Sequence, residues 1–112
     1  MLIVPRVETK YGNVRCQDDR GRWFDSKAER RNQLRLESEF DGKVLRQVSL
    51  ILIDGDKPVR MRIDHMPILE TQDDGRFVAR FFDTKGAAPT REWENKRRLL
   101  LEKMGICVDV LR

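Results

Sequence analysis

The 112-residue chain is long enough for one domain with a single hydrophobic core. Hydrophobic residues make up 39% of it and charged residues 38%. Because the apolar residues recur in periodic blocks, this composition excludes a disordered chain. The net charge of +4 favours a polyanionic partner, nucleic acid before membrane, since no basic amphipathic helix of the membrane type is present.

Cysteine content and hydropathy bear on the cellular compartment. Cys16 and Cys107 lie far apart without metal-ligand spacing, so both are expected to be plain thiols. No apolar run has the length of a membrane span, and the apolar residues 2–4 are too few for a signal peptide. We therefore expect a cytoplasmic protein with no membrane partner.

The first part of the chain predicts an arm followed by a helix. We expect one domain over residues 1–112, with residues 1–22 as an N-terminal arm or hairpin and residues 23–112 as the core. Ser26 and Glu29 form a capping box at the start of a helix predicted over residues 27–40. Capping alone is enough to explain a glutamate at this position.

Three strands are predicted to follow as an antiparallel meander. Residues 44–53 are rich in branched side chains, and residues 59–70 are expected to pair with them as a hairpin. Pro67 is expected to bend or free the far half of the second strand, because proline has no N–H for a central ladder. Residues 76–82 form the third predicted strand.

A second helix and a last strand complete the predicted fold. Thr90 is an N-cap for a helix over residues 91–104, and Gly105 is its expected end. Residues 106–111 predict a fourth strand that lies beside the third through a helical crossover. The order is helix, three strands, helix, strand, and it predicts an α/β (α+β) fold with a mixed four-stranded sheet.

Three acids and one lysine are candidates for a shared site. On a strand, residues two apart point to one face, so Asp83 and Lys85 are expected to project together. Asp64 ends the alternating run of residues 59–63, and Glu29 lies in the first helical turn. If these elements are neighbours, their side chains converge on a site for a hard divalent cation and a polarised water.

The motifs in this order resemble those of the PD-(D/E)XK nuclease superfamily, and especially small bacteriophage proteins related to Holliday-junction resolvases. The matching residues are the stretch 24–29, Gln47, Asp64, the stretch 83–86 and the basic second helix. The resemblance implies a restriction-endonuclease-like core within a single nuclease-like domain. It also implies a metal-dependent DNA endonuclease, with branched DNA such as Holliday junctions as one candidate substrate, and the host cytoplasm as its location if the protein is viral.

Phosphodiester hydrolysis assigns a role to each acid. Asp64, Asp83 and the backbone carbonyl of Thr84 are expected to hold Mg²⁺ or Mn²⁺. Glu29 is expected to bind the same ion, a second ion or a coordinated water, and Lys85 to orient the attacking water.

Two positions depart from the pattern of the superfamily. His65 stands where an aromatic residue usually follows the aspartate, and it is interpreted as a polar residue at a strand end. Asp83 stands where many members of the superfamily have glutamate.

Basic residues on both helices are candidates for contacts with DNA phosphates. Such contacts position a nucleic acid without reading its sequence. The alternative for each is a solvated helix face balanced by glutamates. The candidates are Arg30, Arg31 and Arg35 on the first helix and Lys96, Arg97 and Arg98 on the second.

Two further functions stay open beside the nuclease. One is a nucleic-acid-binding module that does not cleave, and the other is a protein-interaction protein, an inhibitor or assembly factor, on the same scaffold. Junction cleavage commonly uses two active sites, so a homodimer is expected if branched DNA is the substrate.

Overall fold

The computed structural model describes residues 14–112, which form a mixed α+β fold of two helices and a mixed sheet. No helix in this part of the chain is long and apolar enough to cross a membrane. Residues 1–13, which are most of the expected N-terminal arm, lie outside the described residues. The elements are β1 (Cys16–Gln17), β2 (Trp23–Phe24), α1 (Lys27–Glu39), β3 (Val44–Ile53), β4 (Val59–Thr71), β5 (Phe77–Ala79), β6 (Phe81–Thr84), α2 (Arg91–Met104) and β7 (Val108–Leu111).

The capping signals of both helices are confirmed. The Ser26 hydroxyl accepts the Glu29 N–H at 3.0 Å at the start of α1, which ends one residue earlier than expected. The Thr90 hydroxyl caps α2 in the same way. Gly105 ends α2 with a φ of 67°, a left-handed conformation that glycine adopts without steric cost.

The sheet has the predicted mixed pairing. β3 and β4 form an antiparallel hairpin, and the four central strands lie in the order β3-β4-β6-β7. β6 and β7 are parallel because α2 carries the chain across one face of the sheet between them. The expected helical crossover to the last strand is therefore confirmed.

The prediction of one third strand over residues 76–82 is wrong. The chain forms two strands, β5 and β6, which are separated at Arg80 and both pair with β4. The Arg80 N–H donates to the Pro67 carbonyl at 3.0 Å, but Pro67 has no N–H to return. The far half of β4 is not freed by the proline, since it pairs with β5 and makes a fifth strand in the sheet.

The two helices cover opposite faces of the sheet. Phe81 and Phe82 are adjacent in β6, and adjacent strand residues point to opposite faces. Phe81 packs in a cluster with Leu100 of α2, whereas Phe82 packs with Leu36 of α1. The core is thus divided into two layers, one beneath each helix.

β3 turns over in the middle, at Gln47. Val44 packs in the α1 layer, whereas Leu52 packs in the α2 layer. Even-numbered residues of a regular strand share one face, so the strand must rotate between these two positions. Gln47 lies between them with a φ of 50°, which is uncommon for a residue with a side chain and marks local strain.

The β1–β2 hairpin is fastened to α1 by charged groups. The guanidinium of Arg22 donates to both carboxylate oxygens of Glu37 at 2.7 Å and to Asp18 at 2.7 Å. Arg20 donates to the same glutamate at 2.7 Å. The arm was predicted to end at residue 22. The hairpin crosses this boundary, because Cys16 pairs with Phe24 and Gln17 pairs with Trp23.

The strain at Gln47 predicts that a glycine variant at this position is more stable than an alanine variant. In a regular strand, alanine is more stable than glycine by about 0.5–1 kcal/mol. At a positive φ the order reverses, so Gln47→Gly should be more stable than Gln47→Ala by about 1 kcal/mol in urea unfolding. The same pair of substitutions at Ser49, in the regular part of β3, is the control and should show the ordinary order. The ordinary order at both positions would contradict a strained Gln47.

Candidate functional site

Two aspartates meet where β4 and β6 part. The two strands share one backbone pairing, His65 with Phe82. Next to it, the Asp64 N–H donates to Asp83 Oδ1 at 3.0 Å, and the Thr84 N–H donates to Asp64 Oδ2 at 3.0 Å. Side-chain carboxylates therefore replace the backbone carbonyls that would accept these hydrogen bonds in a regular ladder.

This pair of carboxylates is buried. Asp64 is 8% exposed and Asp83 is 2% exposed. Burial, followed by the negative charge of Asp83, raises the pKa of Asp64 from 3.8 to about 8. A positive ion at this position would relieve both the loss of hydration and the repulsion between the two acids.

Lys85 projects on the same side as Asp83, as the strand pattern predicts. Its Nζ lies 2.8 Å from Asp83 Oδ2 and 4.7 Å from the centre of the Trp93 ring. The ammonium group is thus held between a buried carboxylate and an aromatic face, and both attract a positive charge.

Glu29 lines the same cavity as the two aspartates. Burial and the charge of Asp25 raise the pKa of its carboxyl group, while a hydrogen bond from the Gln47 side chain lowers it. The Glu29 charge in turn contributes to the raised pKa of Asp64. Glu29 lines the cavity, whereas the cap seen at the start of α1 is the Ser26 hydroxyl accepting the Glu29 N–H, which does not depend on the glutamate side chain.

The donor set is suited to magnesium. Within residues 14–112, no three His, Cys, Asp or Glu side chains are grouped so that they could hold one metal ion. Mg²⁺ keeps several of its waters and is typically bound by one or two carboxylates together with substrate phosphates. Asp64 and Asp83 supply two such carboxylates, and the carbonyl of Thr84 is a further oxygen donor beside them.

A cavity of about 640 Å³ opens onto these groups. Asp25 and Arg62 line it near α1, and the loop of residues 86–90 and Trp93 form another wall. The cavity thus combines a carboxylate cluster with cationic groups, which is the arrangement needed to hold a phosphate beside a metal ion. Three basic residues line it: Arg62, Lys85 and Lys96.

The interpretation of His65 as a polar residue at a strand end is wrong. His65 lies inside β4, is fully buried, and does not line the cavity. Both ring nitrogens have partners, Gln33 Oε1 and Thr84 Oγ1, at 2.7 Å each. Burial lowers the pKa of His65 to about 4, so the ring is neutral at physiological pH.

One of the six basic residues predicted to contact DNA lines the cavity, and that residue is Lys96. The Arg97 guanidinium lies 5.4 Å from the centre of the Trp93 ring, while Arg98 is exposed. On α1, the guanidinium of Arg30 donates to the Gln17 carbonyl, that of Arg31 donates to the Arg112 carbonyl, and Arg35 is exposed.

The sequence prediction missed Arg62. Its guanidinium lies 3.1 Å from Asp25 Oδ2 and 3.9 Å from Asp64 Oδ1, so it neutralises part of the negative charge in the cavity. The signal was present in its place two residues before Asp64 on the same predicted strand.

The sequence prediction assigned no role in the site to Trp93, and it named Gln47 only as a residue that matches the superfamily motifs. The positive φ of Gln47 and the place of Trp93 in the cavity wall depend on the tertiary fold.

No family model, curated protein or solved structure matches the chain. The resemblance to PD-(D/E)XK nucleases accordingly stays a prediction based on the motifs.

The raised pKa of Asp64 predicts how stability depends on pH. The folded protein keeps a proton on Asp64 up to about pH 8, whereas the unfolded chain loses it around its ordinary value of 3.8. Stability therefore falls as pH rises between these values. Asp64→Asn keeps an oxygen for the Thr84 N–H and has no such proton. Without divalent ions, its free energy of unfolding relative to the parent should rise by on the order of 1 kcal/mol per pH unit from about pH 5 to about pH 7.

The control for this measurement is Asp109→Asn. Asp109 forms an ion pair with Arg80 at 3.3 Å and is half exposed. Asp109 lies outside the cavity, and Asp109→Asn shows how much of the pH dependence follows from removing any surface carboxylate. His65 titrates in the parent and in both variants, so its contribution cancels in each comparison. If the difference for Asp64→Asn is flat, the carboxylate pair is not strained by its charge.

Proposed function

We propose that this protein is a metal-dependent endonuclease that hydrolyses phosphodiester bonds in DNA. The observation that supports this most strongly is the buried Asp64–Asp83 pair beside Lys85 in a cavity that Arg62 and Lys96 also line. A protein gains no stability from placing two carboxylates together out of water. Their arrangement is explained if they bind a cation during function.

The residues around the carboxylate pair each have a defined part in the proposed reaction. Asp64, Asp83 and the carbonyl of Thr84 would hold the ion, and Glu29 would accept a hydrogen bond from one of its waters. Bound Mg²⁺ or Mn²⁺ would polarise the scissile phosphate and lower the pKa of a coordinated water. Lys85 donates hydrogen bonds toward the attacking water and the phosphate oxygens, where negative charge grows in the transition state.

The cationic residues of the cavity provide for the rest of the substrate. Arg62 and Lys96 lie on the cavity wall, where they would contact the phosphates that flank the scissile bond. Such contacts read the backbone, so they suit a nuclease that recognises the shape of DNA. Branched DNA, cleaved by a homodimer with two such sites, belongs to this proposal as the candidate substrate class.

The direct test is cleavage of labelled DNA by the parent and by Asp83→Asn. Asparagine keeps an Oδ1 acceptor for the Asp64 N–H, so the strands stay linked, but it removes one negative ligand. We expect magnesium-dependent or manganese-dependent cutting that is at least about 100-fold slower in the variant. The substrates should include a duplex, a single strand, a flap and a four-way junction, each with the metal ion and with a chelator.

Asp109→Asn is the matched control for cleavage, because it removes a surface carboxylate from a neighbouring strand. It should cut like the parent. If Asp83→Asn also cuts like the parent, the assignment of the site is wrong. If the folded parent cuts none of these substrates, the nuclease proposal fails, and the non-cleaving nucleic-acid-binding module and the protein-interaction protein are the functions left to compare.

The cavity also predicts which basic residue on α2 matters for binding. Lys96→Ala should weaken DNA binding in the presence of a chelator and reduce the slope of log K against log salt by about 0.9, the value for one lost phosphate contact. Arg98→Ala removes an equal charge from an exposed position on the same helix that does not line the cavity, and serves as the control. Fluorescence anisotropy at several salt concentrations measures both slopes. A larger change in this slope for Arg98→Ala than for Lys96→Ala would indicate that DNA binds to a surface outside the cavity.

A further inference from the structure

A chain of hydrogen bonds lies behind the carboxylate pair, on the side of α1. The ring of His65 bridges Gln33 on the helix and Thr84 on β6, at 2.7 Å to each. Asn32, also on α1, donates to the Thr84 hydroxyl at 3.0 Å. Asn32, Gln33 and His65 are all buried.

The directions of these hydrogen bonds are mutually consistent. The Gln33 amide nitrogen donates to the Val44 carbonyl at 3.3 Å, so its oxygen is the atom that faces His65 Nδ1. Nδ1 therefore carries the proton, and Nε2 accepts from the Thr84 hydroxyl. That hydroxyl oxygen can at the same time accept from Asn32. The His65 ring nitrogens, the Thr84 hydroxyl and the Gln33 amide thus all have partners, which favours a buried network that holds one geometry.

The network holds Thr84 from the side opposite to the cavity. In front, the Thr84 N–H donates to Asp64 Oδ2, and behind, its hydroxyl donates to His65, the next residue after Asp64. Two consecutive residues of β4 thus hydrogen-bond to one residue of β6, Asp64 to its N–H and His65 to its hydroxyl. Asn32 and Gln33 follow Glu29 by three and four positions on α1, so the same network sets where Glu29 stands relative to the two aspartates.

We propose that His65 is a positioning residue which, through the Thr84 hydroxyl, fixes the places of the Thr84 carbonyl and the Asp64 carboxylate, the two oxygen donors that would bind Mg²⁺. This inference rests on the proposed function, because it concerns the same ion site. Mg²⁺ demands near-ideal octahedral geometry at about 2.0–2.1 Å. Mn²⁺ takes the same oxygen donors, is larger and gives up its waters more readily. Loosening the network should therefore weaken the use of magnesium more than that of manganese.

The test compares Thr84→Val with Thr84→Ser. Valine has nearly the shape of threonine but cannot hydrogen-bond to His65, whereas serine keeps the hydroxyl, and both keep the backbone carbonyl and N–H. Calorimetric titration with MgCl₂ and with MnCl₂ measures the affinity for each ion, and cleavage assays with each ion measure activity. We expect Thr84→Val to lose magnesium affinity by about 10-fold or more, manganese affinity by clearly less, and to shift the ratio of the two activities in the same direction. Thr84→Ser should keep the parent's ratio.

A purely structural role gives a different result. Loss of folded protein lowers activity with both ions by the same factor and leaves their ratio unchanged, so an unchanged ratio in Thr84→Val overturns the proposal. His65→Gln, assayed in the same way, provides a second test at the other end of the hydrogen bond. The ratio is read from whichever of the two variants unfolds cooperatively in urea, since that variant is folded. If the parent binds and uses both ions while the variants keep its ratio, only this inference fails. If the folded parent binds neither ion, the proposed function fails with it.

Discussion

The structure around the cavity depends on the exchange of hydrogen bonds between Asp64 and the β6 residues Asp83 and Thr84. In a regular sheet the backbone carbonyls would accept these N–H groups, but here the carboxylates do so, at 3.0 Å each. The two strands can therefore part without leaving a buried donor unpaired, which would cost about 1–3 kcal/mol. The same exchange draws two acids together in a buried position, so the feature that joins the strands also raises the pKa of Asp64.

The Asp64–Asp83 pair has cationic groups on its cavity side and a neutral hydrogen-bond network on its other side. Toward the cavity stand the cationic groups, with Lys85 at 2.8 Å from Asp83 and Arg62 at 3.9 Å from Asp64. Away from it lies the neutral network centred on His65, in which both ring nitrogens have partners. A charged site supported from behind by a neutral network resembles a metal ligand shell held by outer hydrogen bonds, and such support commonly governs the affinity for the ion.

The parts that were predictable from the sequence are those with local causes. Thr90 and Gly105 bound α2 because capping depends on neighbouring residues, and Asp83 and Lys85 share a side because of the period of a strand. The break at Arg80 was not predicted, since it arises from a missing N–H at Pro67 on the partner strand. The burial of His65 likewise depends on α1, which packs over it from a distant part of the chain.

Calorimetric titration of MgCl₂ and of MnCl₂ into the parent, Asp64→Asn and Asp83→Asn tests most directly whether Asp64 and Asp83 together bind a divalent cation. The measurement needs no substrate, so it does not depend on guessing the right DNA. The account predicts saturable binding by the parent and its loss in both variants, each of which keeps an oxygen acceptor for the hydrogen bond between the strands. Equal binding by all three folded proteins, or no binding of Mg²⁺ or Mn²⁺ by the parent, would contradict it.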